Sequence, residues 1–135
     1  MRSVQVFPRM DLRRLTCLLD SVGERAGLEW FGVADRRLEV SLTRYESVQD
    51  LIQALAKEGS FSASELDALR HVRDELAGVW VEVRVSGRGG YQAEMRDLVE
   101  LLLAGGGYAI DDYSDDTWSL EQIRNGRPDG QTFRA

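Results

Sequence analysis

The chain has 135 residues, about one domain's worth, with 43% hydrophobic and 30% charged residues, so it should fold rather than stay disordered. Its 17 basic and 23 acidic residues leave a net charge of −6, which argues against nonspecific nucleic-acid binding through surplus Lys and Arg. One Cys excludes an intrachain disulfide, one Cys with one His leaves no Cys/His zinc set, and no apolar run approaches the ~20 residues of a membrane-spanning helix.

Val4, Val6 and Phe7 predict a first strand ended by Pro8. Asp11 is a good N-cap for a helix whose apolar face runs through Leu12, Leu15, Leu19, Val22 and Ala26, with Gly27 as its stop. Trp30 to Val33 reads as a second strand, residues 34–37 as a hairpin turn, and the alternation of Leu38, Val40 and Leu42 as a third strand. Ser47 with Asp50 and Ser62 with Glu65 start two helices that Gly59 and Gly78 close.

Val79, Val81, Val83 and Val85 alternate with Trp80, Glu82 and Arg84 in the clearest strand of the chain. Ser86 to Gly90 breaks it. A helix through Met95, Leu98, Val99 and Leu102 follows, then Gly105-Gly106-Gly107 and a strand at Tyr108 to Ile110. Ser119 to Ile123 reads as one helical turn, Asn125-Gly126 as the turn of a last hairpin, and residues 124–135 as a tail that frays.

The order β-α-β-β-α-α-β-α-β predicts one α+β domain over residues 1–135. It resembles a modified ferredoxin-like fold: a two-layer sandwich in which helices pack mainly on one face of a mixed sheet. Two readings of the outward Trp80, Glu82 and Arg84 stay open. They form a surface for a partner or second copy, or the helices between residues 47 and 77 cover Trp80.

Two segments are candidate sites. Gly87, Arg88, Gly89 and Gly90 lie between a strand and a helix, where backbone N–H groups and a guanidinium hold anions. The segment lacks the Lys-Ser/Thr end of a phosphate loop, and Gln92 stands where a dinucleotide fingerprint needs Gly. Asp111, Asp112, Tyr113, Asp115, Asp116 and Trp118 follow the last strand and are the candidate partner-binding residues. The rings supply rigid contact area and the carboxylates complement a basic surface. The other reading is a solvated turn with Trp118 folded back on the core. The acids lack the alternation and the Gly of a calcium loop, so no metal or cofactor is assigned. Cys17 and His71 stand on different predicted helices with no nucleophile signature, and no catalytic residue is assigned.

Residues 108–123, with the small acidic α+β chain around them, resemble immunity proteins of bacterial polymorphic-toxin systems. The resemblance implies a cytoplasmic, non-enzymatic inhibitor that binds a cognate basic toxin and engages neither nucleic acid nor membrane. One alternative is a ligand-binding or regulatory ferredoxin-like module that uses the Gly87–Gly90 loop and pairs edge to edge as a homodimer. Another is a metal-dependent enzyme built on the Asp cluster.

Overall fold

A computed structural model of the protein describes residues 3–33, 38–85, 92–111 and 116–134. These form β1 (Ser3–Pro8), α1 (Leu12–Asp20), β2 (Glu24–Ala26), β3 (Glu29–Gly32), β4 (Leu38–Arg44), α2 (Val48–Glu58), α3 (Ala63–His71), β5 (Val79–Val85), α4 (Gln92–Leu102), β6 (Gly107–Ile110) and α5 (Leu120–Asn125). A 3₁₀ turn at Arg73–Glu75 lies between α3 and β5.

The fold is α+β around one six-stranded open sheet in the order β2-β3-β4-β5-β1-β6. Every pairing is antiparallel. The expectation of a mixed sheet is therefore corrected. β5 and β6 do run the same way, but β1 sits between them and pairs with both. A helical crossover thus fixes strand direction without making its two strands neighbours.

The period-2 pattern sorts side chains onto two faces. Val4 and Val6 of β1, Val40 and Leu42 of β4, and Val79 to Val85 of β5 face one layer, which holds Leu15 and Leu19 of α1, Met95, Leu98, Val99 and Leu102 of α4, and Ile123 of α5. The opposite face is covered too, over part of its extent. Phe7, Ile110 and Trp80 meet Leu51 and Leu55 of α2 and Leu69 of α3. Helices mainly on one face is the second correction. The two capped helices between β4 and β5 need a sheet face of their own, because α1, α4 and α5 already fill the first.

The caps form as their sequences require. Ser47 Oγ accepts from Asp50 N–H, and Ser62 with Glu65 makes a full capping box at α3. Ser119 with Gln122 makes a second one at α5. The first helix ends early. It stops at Asp20, so Ala26 belongs to a strand and Gly27, at φ +67°, turns the β2–β3 hairpin rather than closing a helix. Gly23 lets the following turn pack close to the hairpin, since a Cβ there would lie 2.5 Å from Val33 Cγ2. Asn125-Gly126 closes α5 rather than a hairpin. In the segment after it, Phe133 is buried and its ring meets Trp118 edge-on at 5.7 Å.

Candidate functional site

The aspartate-rich segment divides at its ends. Asp111 is 4% exposed and Trp118 1% exposed. Trp118 exchanges backbone hydrogen bonds with Ala109, which bars the outer side of β6. The Arg127 guanidinium stacks 3.7 Å from its ring centroid and donates to Thr117 O at 2.7 Å. Trp118 is a core residue, and its assignment as a surface anchor is corrected, as is that of Asp111. Asp116 is exposed, with Arg127 Nη2 3.7 Å from its carboxylate. Asp112, Tyr113 and Asp115 lie outside the described residues, as do Gly87, Arg88, Gly89 and Gly90 of the glycine loop.

Cys17 and His71 are not brought together. Both are exposed, but α1 packs on one face of the sheet and α3 on the other. Among the described residues no group of three or more His, Cys, Asp and Glu is placed to hold a metal ion, and no helix is long and apolar enough to cross a membrane.

The structure does expose an acidic surface bearing an aromatic ring, away from that segment. α2 and α3 cover only the end of their sheet face. Phe61, just before α3, meets Phe7 and Trp80 at ring distances of 6.3 and 5.9 Å, so Trp80 is half-buried under the helices. Beyond Trp80 the face is polar. The register aligns Ser3 with Arg84, Gln5 with Glu82, Glu39 with Arg84, Ser41 with Glu82 and Glu29 with Ser41. These side chains are tied in a chain of hydrogen bonds. Trp80 Nε1 donates to Gln5 Oε1 at 2.7 Å, and Gln5 Nε2 donates to Glu82 Oε2 at 3.1 Å. Arg84 donates to Glu82 at 2.7 Å and to Ser41 Oγ at 2.8 Å, and lies 3.8 Å from Glu39. Such bonds hold rotamers that free surface side chains would sample.

The β2–β3 hairpin extends this face to the sheet edge. Trp30 points the other way, into the first core. It is fully buried, its indole N–H donates to Asp20 Oδ1 at 2.8 Å, and Arg25 lies 5.4 Å from its ring centroid. That anchor fixes the hairpin and turns its neighbours outward. Phe31, paired with Glu24, is 39% exposed, and so is Leu28 beside the turn. Among the described residues, the half-sheet beyond α2 and α3 therefore presents Glu24, Glu29, Glu39 and Glu82 against Arg84, with Phe31 on the same side. Sequence reasoning singled out Glu82 and Arg84 but missed Glu24, Glu29 and Phe31. Their signal was the adjacent pair Trp30-Phe31, whose rings a strand must send to opposite faces. No family model, curated protein or solved structure matches the chain.

Proposed function

We propose that this chain is a non-catalytic protein-binding module, an immunity-type inhibitor that neutralises a cognate basic bacterial toxin in the cytoplasm. The observation that carries the reading is the half-sheet that no described helix covers, where Glu82 is held in a hydrogen-bonded row, Glu39 lies 3.8 Å from Arg84, and Glu24 stands opposite the exposed Phe31. Among the described residues, four carboxylates to one guanidinium steer a basic surface during encounter. Phe31 supplies the apolar contact that slows dissociation. The chain's net charge of −6 adds to the same long-range attraction.

The strand order supports a ferredoxin-like derivation. In β4-β5-β1-β6 the first and penultimate strands of the chain lie side by side at the centre. On that reading the β2–β3 hairpin and the α2–α3 pair are additions, and the additions border the open face.

The test is association with a purified basic toxin domain, sought among proteins encoded beside this chain, measured by surface plasmon resonance at several salt concentrations. Glu29→Lys with Glu39→Lys should slow association about tenfold or more and flatten its salt dependence. Phe31→Ala should mainly speed dissociation. Unaltered kinetics in all three changes, or no association at all, overturns the reading.

A further inference from the structure

A groove of about 880 Å³ runs along the outer side of α2, and its charge is opposite to that of the chain as a whole. Leu51 and Leu55 of α2 face the second core, Val48 packs against its edge and Ile52 is buried, and the groove takes in the two adjacent rows of the helix. Val48, Ile52 and Ala56 form one row, and Gln49, Gln53 and Lys57 the other, each repeating at i, i+4. Arg70 at the end of α3 and Arg73 with Asp74 of the 3₁₀ turn form the far wall. Three cations thus face one carboxylate over a partly apolar floor, in a protein of net charge −6. Asp67 engages Arg70 at 2.9 Å, whereas Lys57 and Arg73 have no ion pair among the described residues.

Compensation of helix dipoles accounts for only part of this pattern. Lys57 and Arg70 occupy last turns, where cations oppose the negative helix end. Arg73 lies outside both α-helices, and a dipole calls for no apolar floor between the cations. We propose that the groove docks an amphipathic helix of acidic character. Its apolar stripe seats along Val48, Ile52 and Ala56, and its carboxylates meet Lys57, Arg70 and Arg73. The row from Val48 to Ala56 is about 12 Å long at 1.5 Å per residue, which matches two turns of a partner helix. A phosphate backbone would gain nothing from the apolar row, and charge complementarity favours a partner rich in Glu and Asp. The inference is independent of the half-sheet reading, because the two surfaces share no residue and select opposite charges.

Fluorescence anisotropy tests it with a labelled synthetic peptide of about 18 residues, long enough for stable helix. The peptide carries Leu at i, i+3, i+4 and i+7 and Glu on the flanks. One control replaces every Glu by Lys, and a second scrambles the order. The Glu peptide should bind more weakly as salt rises, and neither control should bind. Lys57→Glu with Arg73→Glu should weaken binding about tenfold or more while the thermal midpoint falls by no more than about 5 °C, the cost of reversing a charge at the end of α2. Ala56→Glu, at an exposed position of the floor row, should weaken it independently. Equal binding of the scrambled peptide, absence of binding by the Glu peptide, or indifference to the charge reversals overturns the proposal. So does a dimer in sedimentation that the same reversals dissolve, since the occupant is then a second copy.

Discussion

Trp118 separates two accounts of the aspartate-rich segment, and its replacement gives a quantitative test. The side chain is 1% exposed, and a buried Trp withdraws roughly 150–250 Å² from water. At about 25 cal/mol per Å² that is worth about 4–6 kcal/mol, in line with the ~3–5 kcal/mol measured for large aromatic-to-Ala changes in cores. The loss also releases the Arg127 guanidinium stacked at 3.7 Å and the Phe133 ring at 5.7 Å, which leaves residues 127–134 without their dock. Trp118→Ala should therefore destabilise the fold by about 4 kcal/mol, a large share of the ~5–15 kcal/mol typical of a domain. For a chain of this length the midpoint of thermal unfolding should fall by roughly 10–15 °C. Urea denaturation followed by circular dichroism reads the first quantity and calorimetry the second. Arg127→Met keeps the aliphatic stem over the ring and removes the stacked charge and the bond to Thr117 O, so it should cost about 1–2 kcal/mol. A Trp118→Ala protein within about 1 kcal/mol of the parent would refute the assignment of Trp118 to the core.

Three further outcomes follow from particular residues. Tyr108 is pushed up to about 12 by burial, then by the hydrogen bond its hydroxyl donates to Glu75 at 2.7 Å and by that carboxylate's charge. The folded chain thus holds the phenol proton more tightly than the unfolded one. This contribution is complete below pH 10 and is lost as pH rises from 10 toward 12; urea titrations across that range should show a decline that Tyr108→Phe flattens. Ser62→Ala removes the bond that its hydroxyl accepts from Glu65 N–H, leaves the one that its backbone N–H donates to the Glu65 carboxylate, and should cost about 1 kcal/mol by the same assay. Gly107→Ala places a Cβ against Phe7 O at φ +106°, so it should cost about 2–3 kcal/mol and separate β6 from β1, read as faster amide exchange at Tyr108 and Ile110, which alternate with Ala109 and so turn their N–H groups toward β1.

Local chemistry determined most of the elements. The Val79–Val85 alternation, the Ser62/Glu65 box and the stripe through Met95 and Leu102 each stand in the structure where their residues put them. These signals act within one or two turns of chain, and every residue that carries them is adjacent in sequence. The first helix shows their limit. Its apolar period continues to Ala26, but the helix ends at Asp20 and Glu24–Ala26 pairs with β3, a long-range choice that the local period does not carry.

What lay beyond the sequence were the relations between elements. Alternation says that Trp80, Glu82 and Arg84 share a face; it does not say that Phe61 and the two helices cover Trp80 and stop short of Glu82. An acidic run containing Tyr and Trp has the composition of an interface, yet Trp118 is claimed by Arg127, Phe133 and the edge of β6. A large amphipathic side chain is stabilised equally well by a partner protein or by its own chain. The choice rests on whether distant residues arrive to bury it, and that long-range packing is a property of the tertiary fold alone.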